Sequence, residues 1–306
     1  MEIGIHVPSA QPGATAEGIL RVGRAAEQHG FDAVWFFDHL FSPADIESKY
    51  PYSREGEYPM SASDPFFDPL GLFGVLAAKL ERIKLGTAVL IPAYRNPIVL
   101  GKMLAMIENF APGRLILGVG AGWMKEEFDA TGVDYLNRGA RLVEYIKALR
   151  AIWSGEPTSF EGRFYSWVEA GFLPAPTKPI PIIIGGHGDR ALERAAKHAD
   201  GWAVVVGKGQ GRGIEGAAAR IDLLRTHLER EGRDPSSFHL QYTHPLWFSD
   251  HPNDKLPLTG PPEHIAGSIK RLEDLGVDMI DLAVFGPADL IAETAAKFAT
   301  EVRPLL

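Results

Sequence analysis

Residues 84–119 read KLGTAVLIPAYRNPIVLGKMLAMIENFAPGRLILGV. This stretch holds one repeat of the pattern that decides the fold. A short run rich in β-branched and apolar residues, Lys84–Leu90, gives way to Val99, Met103 and Ile107 at helical spacing, and then to a second apolar run, Leu115–Val119. Short runs bounded by Gly, Pro or Asp read as strands, and apolar residues three or four apart read as the inner face of a helix. Working outward, the same alternation continues. Ile3–Pro8 and Ala33–Phe37 precede the stretch, and Pro181–Gly185, Trp202–Val206, His239–Phe248 and Met279–Phe285 follow it. Helical stripes lie between and after them: Ile19/Val22/Ala26, Leu72/Leu76/Leu80, Leu142/Ile146/Leu149, Leu192/Ala195, Ile221/Leu224/Leu228, Ile265/Ile269/Leu272 and Ile291/Ala295/Phe298. Eight strands, each followed by a helix, predict an α/β protein of the (β/α)8 TIM barrel type, with the substrate met by the loops after the strands. Two doubly wound sheets would need a linker near the middle, and neither a Pro/Gly/Ser stretch nor a charge run is there, so residues 1–306 are read as one domain. Two connections exceed the usual length and are read as insertions: Ser42–Pro65 after strand two and Gly155–Pro179 before strand five. The first carries Tyr50, Tyr52 and Tyr58, with Phe66 and Phe67 beyond it; it reads either as an aromatic wall over the barrel mouth or as a loop packed on its own rings.

Of the 306 residues, 45% are apolar and 23% charged, which suits a filled globular core. A net charge of −8, with Lys and Arg scattered, disfavours nucleic acid as a partner. No Cys is present, which removes disulfides, thiolate metal sites and Cys nucleophiles together and suits the cytoplasm. Met1–Pro8 does not read as a secretory leader, and no run approaches the length of a membrane span, so no membrane partner is expected.

In a barrel of this type the chemistry lies at the C-terminal ends of the strands. Strand two ends Phe37-Asp38-His39, where His39 can act as a general acid or base with Asp38 beside it to set its tautomer; otherwise Asp38 caps a turn and His39 is polar surface. Strand four runs into Gly118-Val119-Gly120-Ala121-Gly122-Trp123, whose alternate glycines let the backbone approach a flat ring or a phosphate, although Trp123 breaks the dinucleotide fingerprint. Strand five ends Gly185-Gly186-His187-Gly188, with Asp189 at the start of a helix; the turn reads either as an anion site or as a steric necessity. Lys208, flanked by Gly207 and Gly209 after strand six, suits an anionic group. Other barrel chemistries fit poorly. Strand one offers His6 but no His-x-His pair, so no metal site is expected; glycines stand where a glycosidase would place carboxylates, and no strand has a central Lys.

Asp38-His39-Leu40, Leu85–Leu90, Leu117–Trp123 with Glu126-Glu127-Phe128, Arg138-Gly139-Ala140-Arg141, Ala151–Gly155, Gly185-Gly186 and Ala199-Asp200-Gly201-Trp202 together resemble the luciferase-like flavin and deazaflavin oxidoreductases, most closely the branch that uses coenzyme F420. The resemblance implies hydride transfer between F420 and a small organic substrate. FMN is the alternative cofactor, as in a monooxygenase fed by a separate reductase, and a non-catalytic flavin-binding barrel is a third possibility. It further implies a homodimer and a non-prolyl cis peptide at Ala88-Val89. Catalysis would fall to His39 and Asp38. The cofactor would be held by Asp38, His39, Thr87, Ala88, Val89, Gly120, Ala121, Gly122, Gly185, Gly186, His187 and Lys208. Its acidic tail would need cations, with Lys208 foremost and Arg95 and Arg190 behind it. The sequence departs from the branch at one point: its sugar-phosphate dehydrogenases carry a catalytic Glu where Ala121 stands, and the departure falls on that substrate and that acid–base pairing.

Overall fold

A computed structural model describes residues 1–53, 55–204 and 213–306. The predicted strands close into a barrel of eight parallel strands: β1 (Glu2–His6), β2 (Ala33–Phe36), β3 (Lys84–Thr87), β4 (Leu115–Val119), β5 (Ile182–Gly185), β6 (Gly201–Val204), β7 (His239–Pro245) and β8 (Met279–Ala283). Each strand pairs with its neighbour in sequence, and β8 closes on β1 with Asp281 opposite Gly4. Around it run α1 (Ala16–Gln28), α2 (Pro69–Lys79), α3 (Pro97–Phe110), the short α4 (Lys125–Ala130), α5 (Arg138–Ile152), α6 (Asp189–His198), α7 (Gly213–Arg230), α8 (Pro262–Asp274) and α9 (Ala288–Lys297). Side chains of Thr15, Asp68 and Asn96 accept backbone N–H bonds at the starts of α1, α2 and α3, which sets where those helices begin. Among the described residues no helix is long and apolar enough to cross a membrane.

The main core lies between the strands and the helices, where Ile5, Val34, Leu117 and Ile184 of the barrel meet Ile19, Leu76, Leu104 and Leu192. One predicted helix face is out of phase. On α3, Val99 and Met103 are 56% and 37% exposed, while Leu100, Leu104 and Ile107 are buried. Because α3 is apolar on nearly every side, the 3.6-residue period alone does not choose a face.

Inside the barrel a second cluster, Ala33, Trp35, Ile116, Ile183, Ala203 and Met279, forms a floor below the strand ends. Trp35 crosses it. A Cβ on Gly4 would stand 2.3 Å from its indole nitrogen, and one on Gly86 2.2 Å from its ring. These glycines in strand interiors therefore make room for one large ring.

The two insertions have different characters. Gly155–Pro179 contains an antiparallel hairpin, Thr158–Glu161 with Ser166–Ala170. Ser42–Pro65 has no helix or strand among its described residues, and its far end is tied down where Phe66 bridges Ala10. After β7, Trp247–Phe248 pairs with Thr259–Gly260, so the predicted seventh strand divides at Leu246.

Candidate active site

Strand β3 stops at Thr87, the next peptide, Ala88-Val89, is cis, and the chain rejoins the sheet where Leu90 bridges Val119. The glycines of the neighbouring strand ends fit round this feature. A Cβ on Gly120 would lie 2.6 Å from the Val89 side chain, and one on Gly185 would lie 2.8 Å from it. A Cβ on Gly118 would stand only 1.9 Å from the Thr87 carbonyl oxygen, and the Thr87 hydroxyl donates to the Gly118 carbonyl at 2.8 Å. Thr87, Val89, Gly118, Gly120 and Gly185 are thus close-packed at these strand ends.

The Asp38 side chain is fully buried. Its carboxylate accepts the Ile91 N–H at 2.7 Å and two guanidinium bonds from Arg95, both at 2.8 Å. Arg95 also reaches Asp68, the cap of α2, at 2.6 Å. Burial opposes the Arg95 charge, but the bonds and charge of Asp38, and then of Asp68, outweigh it and lift the guanidinium pKa. Arg95, expected as a cation for a cofactor tail, is occupied by these two carboxylates.

His39 lies on the other side of the same strand end, with its side chain 11% exposed. Its Nδ1 is 2.7 Å from Oε2 of Glu127, the buried carboxylate of α4. Glu127 also accepts the Leu40 N–H at 2.6 Å and the Tyr94 hydroxyl at 2.9 Å. Burial and then the Glu127 charge raise the Tyr94 pKa, which keeps its hydroxyl a donor. An ionised carboxylate offers only acceptors, so Nδ1 carries the proton and Nε2 is the nitrogen left for chemistry. The sequence reading gives the role of setting this tautomer to Asp38; the structure gives it to Glu127, 88 positions away.

Aromatic rings enclose His39. Tyr58, Phe66 and Trp123 lie 5.3, 5.5 and 5.8 Å from its ring, and Tyr50 packs on Tyr58 and Trp123. Burial pushes the Tyr50 hydroxyl up to about 12. Tyr52 reaches across to His187 at the end of β5, 6.1 Å between rings. The insertion after β2 therefore reaches from β2 to β5, and its own rings also pack on one another, Tyr50 on Tyr52 and on Tyr58, so features of both readings of the loop are present.

The turn after β5 is braced from outside. Trp202 donates its indole N–H to the Gly186 carbonyl at 2.9 Å, and Arg220 of α7 binds the His187 carbonyl at 2.7 Å and Asp189 at 2.9 Å. Burial, and then the Arg220 charge, lower the His187 pKa, so the ring favours its neutral form. Gly122 and Gly186 take φ of +85° and +126°, where a side chain is strained. Gly186→Val would therefore disturb the fold and the ligand together. Gly188 offers a cleaner probe, because its backbone is extended and a Cβ would enter open space. Gly188→Val is expected to leave thermal stability unchanged and weaken cofactor binding at least several-fold, if the backbone N–H groups here meet an anion. Equal affinity in calorimetric titrations would leave the turn without a ligand.

Below the mouth lies a polar group that sequence reasoning missed, apart from noting His6. His6 Nε2 meets Asp281 Oδ2 at 2.8 Å, and Thr243 donates to the same oxygen at 3.2 Å. Nδ1 of His6, Oδ1 of Asp281, both amide atoms of Gln241 and the Trp35 indole nitrogen are buried without partners among the described residues. Open hydrogen-bonding positions of this kind each cost about 1–3 kcal/mol. The glycine-backed strand ends and the aromatic rim are of a kind that suits a flat cofactor. Lys208 lies outside the described residues. No group of metal-ligand side chains occurs among the described ones.

The profile of the luciferase-like monooxygenase family matches residues 1–256, and the chain belongs to that family. An uncharacterised protein of Mycobacterium tuberculosis is 32% identical over 257 residues, which cover 84% of this chain and 81% of that protein. An F420-dependent glucose-6-phosphate dehydrogenase of Nakamurella multipartita is 33% identical over 219 residues, covering 67% of this chain and 60% of that enzyme. Two solved structures share the fold. A monooxygenase, RslO1, from Streptomyces bottropensis aligns over 99% of both chains with a TM-score of 0.78 and 22% identity. An F420-dependent secondary alcohol dehydrogenase, in complex with an F420-acetone adduct, aligns over 100% of this chain and 99% of its own, with a TM-score of 0.76 and 16% identity.

Proposed function

We propose that this protein is an oxidoreductase that moves a hydride between coenzyme F420 and a small organic substrate. The observation that carries the reading is His39 after β2, its Nδ1 held by the buried Glu127 carboxylate and its Nε2 without a hydrogen-bond partner among the described residues. When bound, the deazaflavin supplies the hydride chemistry at its C5. The chain's own work is then to orient, to exclude water and to manage one proton. Thr87, Ala88, Val89, Gly120, Ala121, Gly122, Gly185, Gly186 and His187 would hold the cofactor, with Lys208 beyond them. Nε2 of His39 would give a proton to the substrate, or take one from it, while Glu127 balances the charge on the ring. Tyr50, Tyr58, Phe66 and Trp123 keep bulk water from that nitrogen. Asp38 would act indirectly, by fixing the backbone of Ile91 and so the wall before it.

The rival reading is a flavin monooxygenase that uses FMN and oxygen, and the family description, luciferase-like monooxygenase, supports the monooxygenase part of it. Charge separates the two. F420 has a phosphodiester and an acidic tail that FMN lacks, and a chain of net −8 binds it only through local cations. Equilibrium titrations should show F420 binding more tightly than FMN, with a preference that shrinks as salt rises. Lys208→Ala should cost F420 about 1–3 kcal/mol, as the loss of a charge-assisted hydrogen bond does. Tighter FMN binding that ignores Lys208 would sink the deazaflavin reading.

A further inference from the structure

At its end away from the mouth, α6 is held by two arginines. Arg150 of α5 donates to the His198 carbonyl at 3.2 Å and pairs with Asp200 at 2.9 Å. Arg233, just beyond α7, donates to the carbonyls of Ala196 and Ala199 at 2.8 and 2.7 Å. Asp200 leads into β6, and its second carboxylate oxygen accepts the N–H of Ile182, the first residue of β5, at 2.9 Å. The group therefore lies at the N-terminal ends of the strands, on the face opposite the candidate active site. Cations belong at a helix C-terminus, whose carbonyls carry partial negative charge, and these two guanidiniums meet that need.

The positive charge gathered here exceeds it. A depression of about 270 Å³ between α5 and α6 is lined by Lys147, Arg150, Lys197, His198, Asp200 and Arg233. Asp200 is committed to Arg150 and to the Ile182 N–H, and Glu231 comes no nearer to Lys197 than 3.9 Å. Lys147 makes no ion pair or hydrogen bond among the described residues. His198 registers the surplus. Burial lowers its pKa, the charges of Lys147, Lys197 and Arg150 lower it further, and Glu231 alone acts the other way. On a chain of net charge −8, this lining is a local positive field that a bound anion would relieve. Size and donors select the anion. Pockets for drug-sized molecules run to about 300–1,000 Å³, so this one suits a single small group. Lysines on two helices and an imidazole offer N–H donors from several directions, which matches a tetrahedral oxyanion better than the two coplanar oxygens of a carboxylate.

We propose that this depression is a second ligand site, which binds a phosphate group, free or esterified to a small molecule, through Lys147, Lys197 and His198. The site is independent of the cofactor reading. It also couples anion binding to a proton. The imidazolium attracts the anion and the neutral ring does not, so binding raises the His198 pKa, and affinity falls as pH rises through it.

The test is calorimetric titration of the whole chain with inorganic phosphate and with methyl phosphate at fixed ionic strength, together with NMR titration of the His198 ring. One saturable phosphate per chain is expected, with the His198 pKa raised in its presence. Lys147→Gln/Lys197→Gln should weaken binding about 10-fold or more, and Lys147→Arg/Lys197→Arg should restore most of the loss. Both lysines are exposed, so a thermal melt without anion should match the wild type. Sulfate stays a dianion over the range in which His198 titrates, so its affinity should fall with rising pH in the wild type and stay level in His198→Asn. Methyl phosphate binding as phosphate does would mark a site open to esters, and binding of phosphate alone would mark a site for the free ion; both uphold the proposal. No saturable binding, or equal binding by the wild type and the Gln double variant, would overturn it.

Discussion

Replacing His39 with Asn should leave cofactor affinity within a few-fold of the wild type and lower the turnover rate by about 10²–10⁴-fold, the usual contribution of a general acid or base. Asn keeps a hydrogen bond toward Glu127 but offers no titrating nitrogen where Nε2 now stands. Binding and rate should therefore separate. Glu127→Gln probes the same unit from behind. A Gln accepts only through its carbonyl oxygen, whereas Glu127 now serves three donors: His39 Nδ1, the Leu40 N–H and the Tyr94 hydroxyl. The variant leaves at least one of them short of an acceptor and frees the imidazole to change tautomer. A rate loss in Glu127→Gln without loss of cofactor affinity would tie the two residues into one device. Wild-type turnover in His39→Asn, measured with saturating cofactor and no oxygen, would remove His39 from the chemistry.

The parts of this site legible in the sequence are those that depend on local pattern. Eight strand ends could be placed because alternating apolar runs and helical stripes recur along the chain, and His39, Gly120–Gly122 and Gly185–His187 follow from their positions after those runs. What escaped depends on contacts between distant segments. Glu127 reads as the fourth residue of a surface-like helix, Met124-Lys125-Glu126-Glu127, and only the fold buries it against His39. Arg220 is one of three arginines on an amphipathic helix until α7 lays it under the His187 carbonyl. The His6–Asp281 pair joins the two ends of the chain, 275 residues apart, and exists only because the barrel closes. The glycines carry a subtler lesson. Gly120 and Gly185 suggest a ligand-approach motif, yet each faces the Val89 side chain, so steric need already accounts for glycine at those positions. The Ala199–Trp202 motif gains a physical reason as well, since Asp200 accepts the Ile182 N–H at 2.9 Å and Trp202 holds the Gly186 carbonyl.

Asp38 carries the largest expected effect on stability. Its carboxylate is fully buried and meets Arg95 through two parallel bonds, with the Ile91 N–H as a third donor. Removing one partner of a buried, hydrogen-bonded ion pair strands the other charge, and the usual cost is about 3–5 kcal/mol. Asp68, itself 49% exposed, still reaches Arg95 from the far side, so the loss should fall near about 3 kcal/mol. Asp38→Ala should accordingly lower the denaturant midpoint and also weaken cofactor binding, because Ile91 loses its anchor and the wall at Ala88 and Val89 loosens. Deleting both charges tests the cause. Asp38→Leu/Arg95→Met leaves no buried charge unpaired, so its loss of stability should be well below the sum of the two single losses. Cofactor affinity should recover less than stability in the double variant, since no carboxylate returns to hold the Ile91 N–H. An Asp38→Ala variant that unfolds at the wild-type midpoint would show that the pair holds nothing, and would return Asp38 to direct contact with cofactor or substrate.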